Sequence, residues 1–369
     1  MKPFDERYGT YVPPSERVLE VQPTSTQPFD SRKAGADCLL EKGIEQYQLR
    51  EFQSALKTFQ QALGMYRALQ DLQGEGRVLG GMGLTYYGLS NYPEAIACSH
   101  QSLTIARQIQ DRPTERQALA NLGNAYRHLE DYSRAIFYKH QSLDVAKAIG
   151  DRRGEMAAFN NLGMAYKAAG DYARAIDAYE EGLTIARELQ DIQVEGQILR
   201  NMGNAHHAVG NYAETVVCYE HLLTIARQLP DRRAEAQILR NLASACYRTG
   251  DSLKAIAYQH QRLTIARNLG DLHLEEQTLD SLATIHESLG HHRLAIEFYE
   301  QRITVLGTLK DAHQQHQTLQ NLKTICHAIG DYETANRYRH FILDSSTDLG
   351  ETTTIFAAPP ASSLSRRHS

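Results

Sequence analysis

The sequence predicts an all-α solenoid built from about eight stacked helix pairs. Three recurrences predict it. Asp71, Asp111, Asp151, Asp191, Asp231, Asp271 and Asp311 fall forty residues apart with no insertion between them. Asn121, Asn161, Asn201, Asn241 and Asn321 recur in the same frame, as do Leu122, Leu162, Leu242, Leu282 and Leu322. A column of alanines, Ala55, Ala95, Ala135, Ala175, Ala255, Ala295 and Ala335, keeps the same spacing. A fixed period in the range of about 20–50 residues means one supersecondary unit stacked on copies of itself.

The elements follow from the unit that starts at Asp151. Asp151 is placed to cap a first helix, and Glu155 in its first turn suits the helix dipole. Leu162, Ala165 and Tyr166 give that helix an apolar face at helical spacing. Gly170 can end it in the left-handed conformation, and Asp171 can cap a second helix at once. Ala175, Ile176, Tyr179, Leu183 and Ala186 form the apolar stripe of that second helix. The same stop and start recurs as Gly210-Asn211, Gly250-Asp251 and Gly330-Asp331. Each helix should run for roughly 16–18 residues, about 25 Å. A lone pair leaves its apolar stripe exposed, whereas stacked pairs bury it against one another. Ala135 and Ala175 are small where two helices should cross closely. Tyr132, Tyr172 and Tyr212 should start second helices, with the ring under the turn and the hydroxyl at the surface.

Composition narrows the function classes. The net charge of −5 gives no general attraction to nucleic acid or to an anionic membrane. No apolar run reaches the roughly 18 residues of a membrane span. The start, MKPFDERYGT, has no apolar core of a secretory signal, so a cytoplasmic location is expected. Cys38, Cys98, Cys218, Cys246 and Cys326 contain no C-x-x-C pair and read as reduced packing residues. Residues 1–32 hold Pro3, Pro13, Pro14, Pro23 and Pro28 and read as a disordered arm. Residues 346–369 read as a disordered tail, leaving 33–345 as the array.

The strings NLGNAYRHLEDYSRAI (121–136), NLGMAYKAAGDYARAI (161–176) and NMGNAHHAVGNYAETV (201–216) resemble tetratricopeptide repeats. The forty-residue spacing and the IARxLxD string from Ile185 to Asp191 are similar to the long-repeat subgroup of Pins/LGN adaptors and many bacterial repeat proteins. The resemblance implies a right-handed superhelix whose first helices line a concave groove for extended peptides. It implies a protein-interaction role, not a particular partner. No Gα-binding motif region is evident after the repeats, so regulation of a heterotrimeric G protein is not expected.

Carried onto this chain, the resemblance places Asn121, Asn161, Asn201, Asn241 and Asn321 in the groove, with Asn124 and Asn204 one turn on. A carboxamide offers both a donor and an acceptor, so a row of them can hold a peptide backbone whatever its sequence. The competing reading is that these side chains bind the neighbouring repeat. Arg127, Lys167, Arg200 and Arg240 map beside the row and suit an acidic peptide, since Arg can take a carboxylate with two bonds. Asp280, Ser281, Thr284 and Glu287 replace them at the far end, so the best site should lie in repeats three to six.

No G-x-S-x-G, H-E-x-x-H or P-loop string occurs, and no enzyme, cofactor or metal is expected. His206, Cys246, His286 and Cys326 share one repeat position, and adjacent helix axes about 8–10 Å apart separate them too far for one ion. They read as fillers of the slot taken by Tyr86, Tyr126 and Tyr166, while the pairs His206-His207 and His291-His292, and His313 with His316, also suit surface or turn positions. The expected function is a scaffold or adaptor binding an extended acidic segment. The alternatives are an assembly chaperone and a peptide-responsive regulator. The arm, with Tyr8, Tyr11, Glu16 and Glu20, could fold back as an intramolecular ligand. Self-association through Phe341, Ile342 and Leu343 is also open. Finally, Gly74, Gly76, Gly80, Gly81, Gly83 and Gly88 crowd one first helix, each costing up to about 1 kcal/mol relative to Ala. That helix should be the soft joint of the array. Amide hydrogen exchange should therefore be faster over 73–88 than over 153–168, and equal protection would overturn the expectation.

Overall fold

The computed structural model describes residues 28–344, and the side chains of residues 31–338. These residues form α-helices throughout, and no strand occurs among them. They fall into two compact units that meet in sequence at Val209 and Gly210. The first unit holds α1 (Pro28–Gln48), α2 (Phe52–Ala68), α3 (Leu72–Gly88), α4 (Tyr92–Gln108) and α5 (Arg112–His128). It continues with α6 (Tyr132–Ala148), α7 (Arg152–Ala168), α8 (Tyr172–Glu188) and α9 (Ile192–Ala208). The second unit holds α10 (Tyr212–Ala226), α11 (Arg232–Arg248), α12 (Ser252–Leu269) and α13 (Leu272–Ser288). It ends with α14 (His292–Leu309), α15 (Ala312–Ala328) and α16 (Tyr332–Asp344). The fold is an all-α repeat solenoid. Helix α1 starts at Pro28, inside the stretch read as an arm. The rest of that arm, with Tyr8, Tyr11, Glu16 and Glu20, and the tail 346–369 lie outside the described residues. Phe341, Ile342 and Leu343 belong to α16, but their side chains lie outside the description.

The forty-residue aspartates are helix caps. Asp71, Asp111, Asp151, Asp191, Asp231, Asp271 and Asp311 each accept a hydrogen bond from the backbone N–H three residues on, at 2.8–3.2 Å. Asp131, Asp171, Asn211, Asp251 and Asp331 do the same for second helices. Such a cap contributes about 1 kcal/mol. The stops are less uniform than the glycines suggest. Gly170, Gly210, Gly250 and Gly330 are left-handed, with φ of 78–85°. Gln70, Ser90, Gln110, Glu130 and Gln190 take the same conformation at φ of 53–61°. A side chain there costs roughly 1–2 kcal/mol, which the cap made by the next residue helps to offset after Gln70, Gln110, Glu130 and Gln190.

Close approach defines each pair. A Cβ on Gly43 would meet Phe59 at 2.5 Å, one on Gly83 would meet Ser99 Oγ at 2.5 Å, and one on Gly163 would meet Tyr179 at 2.4 Å. Gly123 leaves the same room for Lys139 Cγ, at 2.6 Å. Ala243 and Ala283 hold this column in the second unit and are fully buried. The alanine column crosses here as expected: Ala135 and Ala175 have no exposed surface, and the Ala135 carbonyl lies 3.2 Å from the Cβ that Gly123 lacks. Tyr132, Tyr172 and Tyr212 begin their helices and are half-buried.

Successive pairs are tied by the arginine of the IARxLxD string. Arg67, Arg107 and Arg187 bond Glu75, Glu115 and Glu195 at 2.8 Å in the first unit. Arg227 and Arg267 bond Glu235 and Glu275 at 3.2 and 2.7 Å in the second. In the first unit, successive first helices also touch: α1 with α3, α3 with α5, α5 with α7 and α7 with α9. Successive second helices make no contact of that extent. The first helices therefore line the inner side of that unit.

The glycines of α3 are packing positions. A Cβ on Gly74 would lie 2.1 Å from the Tyr66 ring, one on Gly81 2.9 Å from Phe59 and one on Gly88 2.8 Å from Phe52. Tyr66 is pinned by its hydroxyl, which donates to Asp37 at 2.5 Å, so its ring has little room to yield. Gly74→Ala should destabilise the protein by about 1–3 kcal/mol. Gly64, exposed on α2 with nothing within 4 Å of its missing Cβ, should behave oppositely, and Gly64→Ala should stabilise by about 0.4–1 kcal/mol. Thermal unfolding of the two variants beside wild type checks both signs.

Candidate functional site

The ten residues expected to face a ligand sit on first helices. Asn121, Asn124 and Arg127 lie on α5, Asn161 and Lys167 on α7, and Arg200, Asn201 and Asn204 on α9. Arg240 and Asn241 lie on α11, in the second unit. Two asparagines do not match the expectation. Asn121 and Asn124 are 4% and 5% exposed, so neither presents its amide to a ligand. Asn121 Nδ2 donates to the Gly80 carbonyl at 3.2 Å, and its Oδ1 accepts from Gln117. It ties α5 to the backbone of α3, which is the inter-repeat role. Asn201 Nδ2 donates to Asn160 Oδ1 at 3.3 Å and ties α9 to α7 in the same way. Asn241 donates to the Tyr219 hydroxyl at 3.0 Å.

Five other members are less buried. Asn161 is half-buried and its carboxamide meets no partner among the described residues. Lys167 is half-buried and makes no ion pair among them. Asn204 is exposed, and Arg200 and Asn201 are half-buried. These five occupy two adjacent first helices on the inner side of the first unit.

The residue that the sequence reading missed is Lys139, on α6. It is 1% exposed and threads past Gly123 to the first helix of its pair. Its Nζ donates to Asn124 Oδ1 at 2.6 Å, and no carboxylate pairs with it among the described residues. Burial pushes its pKa well below the usual 10.5, and the Arg127 charge pushes the same way. Arg127 also bonds the Tyr87 hydroxyl, whose own pKa burial raises. Lys139, Arg127 and Asn124 thus form a cationic cluster with no acid in it. Its signal in the sequence is a lysine in the column held by Phe59, Ser99 and Tyr179.

A cavity of about 240 Å³ opens beside this face, between α1, α3 and α5. Leu40, Ile44, Tyr47 and Phe59 wall it, and Gly80 and Gly81 line it where side chains would fill the space. Arg77, Arg116 and Gln117 stand at its polar edge. Arg116 Nε lies 2.9 Å from Asp151, while Arg77 is exposed and makes no ion pair among the described residues. A mostly apolar recess with a few convergent polar groups suits one large side chain of a partner.

The far-end acids have a structural use. Asp280 and Glu276 bond the Arg302 guanidinium at 2.7 and 2.6 Å, and Arg302 reaches them from α14. Among the described residues no cluster of His, Cys, Asp and Glu is arranged to hold a metal. His206 and His286 are buried in the repeat slot rather than at the surface, as are Cys246 and Cys326. Burial pushes both of those thiols up to about 11, which keeps them protonated and poor nucleophiles. No described helix is long and apolar enough to cross a membrane.

The sequence profile of the tetratricopeptide repeat matches residues 75–148, 138–188, 195–268 and 235–306, more than half of the chain. The chain belongs to the tetratricopeptide repeat family. No curated protein sequence matches it. Its fold is similar to apo RapI at 15% identity and a TM-score of 0.53, covering 75% of this chain and 99% of that one. It is similar to the apo quorum sensor NprR from B. thuringiensis at 15% identity and a TM-score of 0.51, covering 85% and 87%. A signal transduction ATPase with a tetratricopeptide repeat sensor from Pyrococcus horikoshii is similar at 15% identity and 0.56, covering 87% and 53%. At such identities the likeness shows the fold alone. The repeat is generally a non-catalytic fold for binding proteins or peptides.

The buried lysine sets a pH dependence. Its pKa is lower folded than unfolded, so the unfolded chain binds more protons between the two values. Stability gains as pH rises through that window, which ends near 10.5. As pH rises toward 10.5, wild type should gain stability relative to Lys139→Met. Parallel urea-unfolding curves for the two proteins would contradict the assignment.

Proposed function

We propose that this protein is a non-enzymatic adaptor that binds an extended, acidic peptide segment on the first-helix face of its first unit. The observation that carries the reading is Lys139. Burial and the Arg127 charge push the Lys139 amine toward its neutral form, and an arriving carboxylate would favour the charged form. Arg127, Lys167 and Arg200 supply further positive charge on the same succession of first helices. Asn161, Asn201 and Asn204 offer donors and acceptors for the peptide backbone. The cavity between α1, α3 and α5 takes an apolar side chain of the same partner. Arg240 and Asn241 carry the equivalent role in the second unit. The similarity to NprR, described as a quorum sensor, is compatible with a peptide ligand. We place the protein in the cytoplasm, where free thiols such as Cys218, Cys246 and Cys326 persist.

The test is fluorescence anisotropy with length-matched acidic, neutral and basic peptide pools. Acidic peptides should bind wild type best and lose about tenfold or more with Asn161→Ala/Arg200→Glu, given two charge-assisted or polar contacts removed. Circular dichroism confirms that the variant is folded. Equal binding of the three pools, or equal binding by the variant, would refute the acidic-peptide reading.

A further inference from the structure

The second unit contains a buried guanidinium that no carboxylate bonds among the described residues. Arg262 on α12 is 1% exposed. Its Nη2 donates to Gln277 Oε1 at 3.3 Å, and its Nε is buried with no hydrogen-bond partner. Gln259, one turn earlier, is 4% exposed, and its Oε1 is also without a partner. No acidic side chain pairs with Arg262 among the described residues. The attraction of Asp271 reaches it, but that carboxylate bonds Arg233 at 3.4 Å. Burial pushes the Arg262 pKa down to about 10, and the nearby positive charge of Arg240 adds to the effect.

The next repeat supplies an internal comparison. Arg302 stands forty residues on, in the same place on its helix. It bonds two carboxylates, Glu276 at 2.6 Å and Asp280 at 2.7 Å, and also Gln314 and Thr318. The residues forty positions before Glu276 and Asp280 are Ala236 and Arg240. One acid is thus deleted and the other replaced by a cation. The Asp280 side chain is 43% exposed and still reaches an arginine that is 8% exposed. A carboxylate coming from the solvent side can therefore meet a guanidinium seated at this depth.

We propose that Arg262 and Arg240 form a carboxylate subsite, taking the groups that Glu276 and Asp280 provide to Arg302. The ligand is either a small dicarboxylate or an acidic side chain of a bound segment. The second source rests on the acidic-peptide reading above. Arg240 is exposed and moves to admit the ligand, while Arg262 supplies the fixed charge behind it. The repeat leaves out its own acid where the ligand brings one.

Succinate and N-acetyl-hexaglutamate amide are the probes, at matched ionic strength in sodium chloride, with the full chain throughout. Succinate should raise the melting temperature of wild type and leave that of Arg240→Asp unchanged. The hexaglutamate should bind Arg240→Asp about tenfold or more weakly than wild type. Ala236→Glu/Arg240→Asp, which copies the acids around Arg302, should melt above wild type in chloride alone. In reverse, Glu276→Ala/Asp280→Arg should create a second succinate response. Equal succinate and peptide responses in wild type and Arg240→Asp would overturn the subsite. Peptide binding that is strong and equal in both removes the subsite and leaves the acidic-peptide reading intact. A succinate response confined to proteins with Arg240, without peptide binding, keeps the subsite and removes that reading.

Discussion

Each helix pair is built around one close crossing, where a first-helix glycine or alanine meets a second-helix side chain. Gly43, Gly83, Gly123 and Gly163 leave space that Phe59, Ser99, Lys139 and Tyr179 fill. Helices that approach this closely bury the backbone and exclude any larger residue. The alanine column from Ala55 to Ala335 supports the same crossing from the second helix. Pair geometry then sets what is possible elsewhere. The first helices of the first unit come close enough for Asn121 to bond the Gly80 carbonyl. A long second-helix side chain such as Lys139 can then pass beneath the first helix of its pair.

That second-helix position explains how one repeat backbone can host varied chemistry. Phe59 and Tyr179 fill it with rings, and Lys139 fills it with a charge. One turn further along, Ser102 and Ser142 give way to Arg262 and Arg302. These changes leave the caps and the crossing alone. Two carboxylates bond Arg302, whereas among the described residues none bonds Lys139 or Arg262. Burying a basic group without an acid beside it destabilises a repeat, and the cooperative array around it tolerates that cost. The aspartate caps and the arginine–glutamate links hold the stack, and the glutamates of those links at 115 and 235 are buried enough to matter. The exposed i,i+3 pairs, such as Arg134 with Asp131, add little.

The fold was legible because its determinants are local and repeated. A cap, a left-handed stop and an apolar stripe can each be read within about ten residues, and seven copies remove the ambiguity of any one. The candidate site was less legible. Asn121 and Asn201 recur in one column, and recurrence alone does not say whether a side chain faces a partner or the preceding repeat. The structure shows that both make inter-repeat bonds, while Asn161 in the same column meets no partner among the described residues. Lys139 and Arg262 sit on stripes that otherwise read as core, so their charges look like surface substitutions in the sequence. The six glycines of α3 showed as lost helix propensity, and their close contacts with Tyr66, Phe59 and Phe52 did not.

By itself the sequence determined the period, the helix boundaries, the caps and the family, because each is encoded in neighbouring residues and multiplied by repetition. It also determined the charge on the columns, which is a matter of composition. The tertiary structure decided which of those charges are compensated. Whether Arg302 finds Glu276 and Arg262 finds no acid depends on contacts between residues that lie on different helices. It also decided which asparagines are spent on the stack, since burial is a property of the neighbouring helix. Those outcomes depend on distances across the interface between elements, and a linear pattern carries no distances of that kind.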